Sequence, residues 1–305
     1  KAIDELVIEG YLYRLQGIGS YVKKKEEHEK ASNLIGVFLS SASDFLSVGI
    51  LRGIEQHISS LGFHAVVQFA DENGSSEKEK FKRLLELNVS GFIVFPHIST
   101  PQNELVKQLV VEKRPVVFVD RTVEGLDGYS VESDNCKGAY DVTKHLIEVH
   151  GHRRIAFVTW EKSKVSSVKD RFQGASLACS EMNANLTFIE VEKGRVKQLC
   201  QELKDFDAIF ACTDLLAVEI MSGLQMCGVQ VPRDIAVVGF DDLPFSVFVQ
   251  PSLTTVRQYP ERMGEKAAAI MLSLLSWGEI PIKKHYVPTK LIVRNSCGCV
   301  EHHHF

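Results

Sequence analysis

The chain has 305 residues, of which 45% are hydrophobic and 24% charged, and its formal net charge at pH 7 is −4. This composition is typical of a globular protein of about two domains, and it excludes collagen-like, disordered and small disulfide-stabilised chains. The averaged chain is not a polycation that would seek nucleic acid or an anionic membrane. No apolar run approaches the roughly 18 residues that span a bilayer, and residues 1–5 do not resemble a signal peptide.

Seven cysteines are present, and five of them stand singly among apolar or helical residues. That usage predicts a reducing, cytoplasmic location, where a free cysteine acts as a small buried hydrophobe. Cys297 and Cys299 have a poor zinc spacing, and no second pair completes four ligands in the sequence, so we predict a surface turn there and no metal site. His150 and His152 are expected to cap a helix.

The first thirty residues differ in character from the rest. Residues 4–9 resemble the end of a helix, and residues 11–14 and 20–22 flank a glycine-containing segment that predicts a β-hairpin. Residues 11–25 contain basic side chains and no acid. A polar linker, 26–33, follows.

From residue 34 onward, short apolar runs alternate with longer amphipathic stretches. The runs are apolar on both faces, which is typical of parallel strands buried between helix layers. They are 34–39, 65–69, 91–95, 115–119, 155–159, 186–191, 208–212 and 235–240. The helical stretches between and after them are 45–61, 134–149, 169–182, 214–227 and 261–277. This alternation predicts a doubly wound α/β fold, and the polar break at 161–167 predicts two lobes.

Side chains suited to a polyhydroxylated ligand follow several of these strands. Parallel strands end at one edge of a sheet, where ligands of open α/β sheets bind. Carboxylates accept hydroxyl protons, arginine donates, and an aromatic face packs on the C–H side of a sugar. The candidates are Asp44, Phe45, Asp120, Arg121, Trp160, Thr213, Asp214 and Asp241.

Each candidate has a structural alternative. Asp44 and Asp214 each precede a helix, so either could be an N-cap instead of a ligand contact. For Asp120 and Arg121 a local ion pair is favoured. For Asp241 a ligand contact is favoured over a turn cap.

Two further residues have weaker signals of their own. Trp160 lies just past a strand end, which favours the wall of a cleft over the core. Arg171 lies in the middle of a helix, where an exposed arginine is the default, and the pattern alone does not single it out.

Signatures of catalysis and of cofactor binding are lacking. The sequence has no Gly-x-Ser-x-Gly, no Gly-x-x-x-x-Gly-Lys and no His-Glu-x-x-His. Gly17 and Gly19 form a bare Gly-x-Gly in a hairpin, which is not a dinucleotide site. We therefore expect a binding protein, with no cofactor and no catalytic residue.

Several segments resemble the effector domain of the LacI/GalR family of bacterial transcriptional regulators. They run in the family's order from about residue 34 to 297. The main ones are 35–38, 51–55, 115–121, 145–147, 151–157, 171–174, 213–217, 231–242, 253–256 and 263–264.

This resemblance implies a fold like that of periplasmic sugar-binding proteins, with two α/β lobes of doubly wound parallel sheet, three crossovers and a ligand cleft. The implied effector domain is 34–300, with one lobe formed by 34–160 plus 259–280 and the other by 161–258 plus 281–300. The family's sugar-gripping arginine and aspartate map onto Arg171 and Asp241. Thr213 stands where the family usually has Asn, which puts a ligand role there in doubt and points to a different ligand set. Ser43, Asp44 and Phe45 also lie where members meet their ligand.

Residues 1–25 resemble the end of a GntR-type winged helix. The resemblance implies a Gly-tipped wing that contacts DNA through Arg14, Gly17, Gly19, Lys23 and Lys24. A GntR-type winged helix joined to a LacI/GalR-type effector domain resembles the arrangement of bacterial arabinose repressors. Because the similarity begins inside the recognition helix, we expect the first helices to be missing and this chain to bind operator DNA poorly.

Together these features predict the effector part of a cytoplasmic transcriptional regulator, most simply a homodimeric repressor. Its partners would be a small sugar, such as L-arabinose or another monosaccharide, and operator DNA, and not a membrane. The alternative is a sugar-binding protein of a transport system, against which the cysteines, the hairpin and the lack of a signal peptide argue. An enzyme of the doubly wound class is the third and remotest interpretation.

Overall fold

The computed structural model of the protein describes residues 12–15, 19–22, 32–71, 76–97, 99–160, 165–192 and 200–299. For residues 12–15 and 19–22 it describes the backbone alone. Within these ranges, no helix has both the length and the apolar character needed to cross a membrane.

The predicted N-terminal hairpin is present. Strands β1 (Leu12–Leu15) and β2 (Gly19–Val22) pair antiparallel, with Leu15 opposite Gly19. Arg14 lies in β1, but its side chain falls outside the described part, as do Gly17, Lys23, Lys24, the segment 4–9 and most of the linker 26–33.

Contacts divide the chain into two units. The first comprises Lys1–Glu132 with Pro260–His285, and the second comprises Ser133–Tyr259 with Tyr286–Phe305. The first crossing thus falls between residues 132 and 133, whereas the sequence analysis placed it at 160/161. The reason is that the strand at 154–160 pairs with the strands at 185–191 and 208–211, so it belongs to the second unit. The other two crossings fall at 259/260 and 285/286 instead of 258/259 and 280/281.

The first unit is built on a six-stranded sheet with the order β13-β7-β6-β5-β3-β4. The pairs from β4 to β7 are parallel, and their 2-1-3-4-5 order is that of doubly wound folds. Its strands are β3 (Leu34–Leu39), β4 (His64–Phe69), β5 (Gly91–Val94), β6 (Val116–Val119), β7 (Tyr129–Ser133) and β13 (Lys284–Val287). Its helices are α1 (Phe45–Ser59), α2 (Glu77–Glu86), α3 (Glu104–Val111) and α8 (Pro260–Trp277).

The second unit contains a four-stranded parallel sheet with the order β11-β10-β8-β9. Its strands are β8 (Arg154–Trp160), β9 (Asn185–Val191), β10 (Ala208–Ala211) and β11 (Ala236–Val238), and β12 (Thr255–Arg257) pairs antiparallel with β14 (Lys290–Ile292). Its helices are α4 (Asn135–His150), α5 (Ser166–Glu181), α6 (Cys200–Leu203) and α7 (Asp214–Met226). The predicted two-lobed α/β fold with parallel sheets is confirmed.

The cores explain why the apolar runs form strands. In the first unit, the rings of Phe38 and Phe81 lie 4.7 Å apart between their centroids, and both are fully buried. In the second, Phe157 of β8 packs edge-on against Phe210 of β10 at 5.1 Å. Strands with apolar side chains on both faces are stable only when both faces are covered, as here.

One glycine sets how closely two helices of the second unit approach. A Cβ atom on Gly174 of α5 would lie 2.0 Å from the carbonyl oxygen of Cys136 in α4. Only glycine leaves room for this approach, which brings the first turn of α4 beside the middle of α5.

Candidate functional site

The strand order of the second unit predicts a ligand-binding crevice at the carboxyl edge of its sheet. In the order β9-β8-β10-β11, the chain adds β9 on one side of β8 and then β10 on the other side. The direction in which strands are added therefore reverses between β8 and β10. Ligands of open α/β sheets bind outside the carboxyl ends of the strands at such a point. Trp160 ends β8, and Cys212 follows β10 directly.

Arg171 lies at this edge and is 3% exposed. Its Nε donates to Asn135 Oδ1 at 2.8 Å, and its Nη1 donates to the carbonyl oxygen of Cys212 at 2.6 Å. The guanidinium carbon stacks 3.8 Å from the ring centroid of Phe240, a cation–π contact. The default expectation of an exposed arginine is therefore wrong: the side chain is buried and held in one orientation.

Asp241 stands next to this guanidinium. Its Oδ1 lies 3.6 Å from Arg171 Nη1 and accepts a 2.6 Å hydrogen bond from Gln258 Nε2. The backbone of Asp241 has a φ of 126°, a conformation that side-chain-bearing residues rarely adopt. Strained backbone of this kind clusters at functional sites, where the surrounding structure maintains it.

Two buried polar atoms near this pair lack a hydrogen-bond partner among the described residues. They are the side-chain oxygen Oε1 of Gln258, whose Nε2 is bound to Asp241, and the indole Nε1 of Trp160. An unpaired buried donor or acceptor costs about 1–3 kcal/mol. The second unit thus holds one unsatisfied acceptor and one unsatisfied donor, and a hydroxyl group can serve either kind of atom.

Cys212 connects Trp160 with Arg171. Its backbone carbonyl accepts from Arg171, and its thiol interacts with the Thr159 side chain and the Trp160 backbone. Burial raises the pKa of the Cys212 thiol, so the group stays neutral and unreactive. Trp160 itself is partly buried and packs against the core of the second unit.

Asp214 is the first residue of α7 and not its N-cap, which corrects that alternative, and a ligand contact by Asp214 stays a prediction. It is fully buried, and its Oδ2 accepts from the Leu243 backbone N–H at 2.8 Å and from the Ser246 hydroxyl at 2.7 Å. Its Oδ1 accepts from the Thr255 hydroxyl. Burial raises the pKa of Asp214, although these hydrogen bonds act in the opposite direction. The residue fastens the loop after β11 to the start of α7.

Thr213 is the N-cap of α7. Its hydroxyl oxygen accepts from the Leu216 backbone N–H at 3.3 Å. A hydroxyl that accepts in this way can still donate its own proton, so a ligand contact by Thr213 stays a prediction.

In the first unit, the capping role foreseen as one alternative for Asp44 is confirmed. Its Oδ1 accepts from the Leu46 backbone N–H at 3.2 Å, and its Oδ2 accepts from the Ser47 hydroxyl at the same distance. Phe45 opens helix α1 and is 53% exposed. Contact of Asp44 and Phe45 with a ligand stays a prediction.

The ion pair predicted for Asp120 and Arg121 is present, with 3.2 Å between Oδ2 and Nε. Arg121 also lies over the ring of Phe95, 5.0 Å from its centroid. This geometry fixes the loop after β6 in the first unit.

Sequence reasoning missed two residues of the second unit's site, Asn135 and Gln258, which hold Arg171 and Asp241. Asp242 was recognisable beside Asp241 as the second acid after a buried strand. It is held by Arg257 Nε at 2.5 Å and by Arg294 Nη2 at 2.6 Å. Asn135 and Gln258 carry no signal, because each is brought to the site by a distant part of the chain.

Comparison with known proteins agrees with this architecture. The family model described as "Periplasmic binding protein-like domain" matches residues 143–297. An arabinose metabolism transcriptional repressor from Geobacillus stearothermophilus is 28% identical over 316 aligned positions, covering 97% of this chain and 85% of that repressor. The regulator GalR of Escherichia coli K12 is 28% identical, covering 88% of this chain and 80% of GalR. The crystal structure of a LacI family transcriptional regulator from Enterococcus faecium with bound ribose has a TM-score of 0.73 and 25% identity, covering 86% of this chain and 98% of that one.

The chain belongs to the periplasmic binding protein-like domain family, and its effector domain is of the LacI/GalR type. Its relatives are transcriptional repressors of that family, including repressors of arabinose metabolism, and they are regulators and not enzymes.

Proposed function

We propose that this chain is the effector-binding part of a bacterial transcriptional repressor, and that its second unit binds the hydroxyl groups of a small sugar. The sugar is a monosaccharide such as L-arabinose. Arg171 donates to the sugar, Asp241 accepts from it, and Trp160 and Thr213 complete the contacts. The relatives whose names mention arabinose and ribose support a pentose as the first candidate.

The observation that carries this proposal is the buried Arg171–Asp241 pair. Both side chains are less than a tenth exposed, yet their nearest atoms are 3.6 Å apart, longer than a charge-assisted hydrogen bond. A pair of buried charges in this geometry contributes little to stability, because desolvation offsets the attraction. Charged groups fixed in a crevice but not bonded directly to each other are suited to hydrogen bonds with a third group.

The two buried polar atoms without a hydrogen-bond partner among the described residues, Gln258 Oε1 and Trp160 Nε1, also support the proposal. A sugar hydroxyl both donates and accepts, so it can serve Gln258 Oε1 as a donor, and a sugar oxygen can accept from Trp160 Nε1. Binding would thereby satisfy groups whose desolvation is otherwise uncompensated. The indole face of Trp160 suits the C–H side of a sugar.

Control of DNA binding is the second part of the proposal. The N-terminal hairpin belongs to a GntR-type winged helix that contacts DNA through Arg14, Gly17, Gly19, Lys23 and Lys24. Two chains form a homodimer, whose symmetry matches a palindromic operator. The sugar shifts the chain between two states of different operator affinity, and the shift is limited by the difference in sugar affinity between those states.

A thermal-shift screen tests the sugar-binding part. The chain is melted with pentoses, hexoses, disaccharides and sugar phosphates, and a ligand that binds the folded state raises Tm. We expect a rise with one or a few monosaccharides, and a smaller rise at the same sugar concentration in the Asp241→Asn variant. A panel in which only metabolites other than sugars raise Tm would overturn the proposal.

The alternative is a sugar-binding protein of a transport system, which would bind a sugar but no operator DNA. An electrophoretic mobility assay with palindromic operator DNA separates the two. A regulator binds a palindromic operator and responds to the sugar found in the screen. Absence of DNA binding, with sugar binding intact, would favour the transport protein.

A further inference from the structure

Two histidines and two cysteines converge near the carboxyl end of α4, in the second unit. His145 and His150 lie on α4, Cys297 ends a short 3-10 turn (Asn295–Cys297), and Cys299 follows two residues later. One ligand atom from each of the four lies within 4.8 Å of the other three. We propose that these four side chains bind a zinc ion in a tetrahedral His2Cys2 site.

Three of the six separations between these ligand atoms are close to those of a tetrahedral zinc shell. Zinc bonds of about 2.3 Å to sulfur and about 2.0–2.1 Å to nitrogen place neighbouring S and N ligand atoms about 3.5 Å apart. Cys297 Sγ lies 3.5 Å from His145 Nε2, and Cys299 Sγ lies 3.7 Å from the same atom. Cys299 Sγ lies 3.4 Å from His150 Nε2.

Hydrogen bonding alone accounts poorly for this arrangement. An imidazole nitrogen forms one hydrogen bond, either through its proton or through its lone pair. His145 Nε2 is nevertheless approached by two sulfur atoms, and Cys299 Sγ is approached by two imidazole nitrogens. Four such atoms grouped within 4.8 Å of one another are suited to act together as the ligands of one cation.

The surrounding residues shape the site. Gly298 has a φ of 106°, and a Cβ atom on it would lie 3.3 Å from two atoms of the His150 ring, so glycine lets both flanking cysteines turn toward the helix. The Thr254 hydroxyl lies 3.1 Å from Cys297 Sγ. A hydroxyl at that distance can donate to a metal-bound thiolate, the kind of outer contact that tunes metal sites.

The ligand set indicates the metal and its role. Thiolate and imidazole together select zinc among abundant divalent cations, and four protein ligands leave no open position for catalysis. Cys297 and Cys299 are free thiols, and three of the four residues are partly exposed, so an ion can reach them. The ion would fasten the segment after β14 to α4. With a rise of 1.5 Å per residue, the two histidines lie about 15 and about 22 Å along α4 from Asn135, which makes this a separate site from that of Arg171.

The test must first remove a competing chelator. His302, His303 and His304 could bind metal by themselves, so all three are replaced by alanine in the parent protein and in every variant. The parent is loaded with Zn²⁺, dialysed and analysed for metal, and is then loaded with Co²⁺ as a spectroscopic substitute. We expect one zinc per chain, and cobalt absorption bands of a tetrahedral site together with thiolate-to-cobalt charge transfer.

Variants identify the ligands. Cys299→Ser and His150→Asn remove partly exposed ligands, and each should lose at least tenfold in zinc affinity together with the parent's cobalt spectrum. Cys227→Ser and His64→Asn change an exposed cysteine and an exposed histidine elsewhere, and should retain both. Melting in the presence of a chelator shows whether each variant is folded, and zinc should raise the Tm of the parent and of the two controls only.

Three results would overturn the proposal. The first is a parent that retains no zinc after dialysis. The second is a cobalt spectrum without thiolate charge transfer, or one that persists in Cys299→Ser. The third is a parent mass lower by two hydrogen atoms under non-reducing conditions, with neither Cys297 nor Cys299 available to an alkylating reagent, because that would indicate a disulfide in place of two metal ligands.

Discussion

Asn135 and Arg171 are 36 residues apart in sequence, and a 2.8 Å hydrogen bond from Nε to Oδ1 joins them. Asn135 is the first residue of α4, and Arg171 lies in the middle of α5. The bond exists because these two helices pack closely at Gly174, one turn after Arg171. The orientation of the guanidinium therefore depends on the distance between two helices as well as on its own contacts.

Substitution of Gly174 tests this dependence. The new Cβ of Gly174→Ala would meet the Cys136 carbonyl oxygen at 2.0 Å, so the helices must separate. Overpacking of this kind costs about 1–3 kcal/mol, and we expect both a lower Tm and weaker sugar binding by calorimetry. Gly228→Ala is the control: it lies in the same unit with no atom within 4 Å of its Cβ, and it should lower Tm through its positive φ without changing sugar affinity. Equal sugar affinity in Gly174→Ala would contradict the account.

Replacing Asp214, the first residue of α7, should lower stability more than replacing Thr213, its N-cap. Asp214→Ala leaves the donors of Leu243, Ser246 and Thr255 without their acceptor, at about 1–3 kcal/mol for each unsatisfied group. Thr213→Ala removes one N-cap, which costs about 1 kcal/mol. Thermal melting should therefore show a clearly larger loss for Asp214→Ala. A loss no larger than that of Thr213→Ala would mean that Asp214 does not fasten the loop.

His97 in the first unit predicts a pH dependence of stability. Burial lowers the pKa of His97 below its usual 6.5, and nearby Arg121 lowers it further, whereas Glu77 and Asp71 raise it. Because the folded state favours the neutral ring, this contribution to stability is present above about pH 6.5 and is lost as the pH falls through the lowered pKa. Melting of the chain between pH 7.5 and pH 5 should show Tm falling on acidification.

Two variants test whether His97 causes this fall in Tm. His97→Gln should show a smaller fall in Tm than the parent over the same pH range. His64→Asn, which changes an exposed histidine, should follow the parent. A His97→Gln profile parallel to the parent's would assign the pH dependence to other groups.

The basic residues in and after the hairpin predict how operator affinity depends on salt concentration. Neutralising Arg14, Lys23 or Lys24 should make the plot of log operator affinity against log salt concentration shallower by about one unit for each DNA phosphate that the side chain no longer neutralises. Fluorescence anisotropy with operator DNA measures this slope. Lys113→Gln, far from the hairpin in sequence and exposed, is the control. An unchanged slope in all three variants would show that the hairpin does not reach phosphate.

Periodicity predicted most of the fold, because strands buried on both faces and amphipathic helices each leave a local pattern. All eight apolar runs became strands of the two parallel sheets. The first crossing was misplaced, since Ser133 and Asp134 join a strand directly to a helix with no polar segment to mark the change of unit. A boundary set by which strands pair is not visible in local composition.

The site was less predictable. Arg171 has the local pattern of an exposed helical residue, and only its resemblance to a family motif singled it out. Asn135, Gln258 and the cluster of His145, His150, Cys297 and Cys299 are assembled from positions far apart in the chain: about 150 residues separate the histidines from the cysteines. Spacing rules recognise ligands that are close in sequence, so a site closed by tertiary structure escapes them.

The most direct test of the central claim is titration calorimetry of the chain and of Asp241→Asn with the sugar found in the screen. Asp241→Asn keeps the shape of the side chain and replaces a charged acceptor, whose hydrogen bond contributes about 1.5–3 kcal/mol. Arg171→Ala is less suitable because it would leave Asp241 as an unpaired buried charge. Asp234→Asn, from the exposed pair with Arg233, is the control.

We predict one bound monosaccharide per chain, with affinity weakened about 10- to 150-fold in Asp241→Asn and unchanged in Asp234→Asn. Equal affinity of Asp241→Asn and the parent chain would contradict the account.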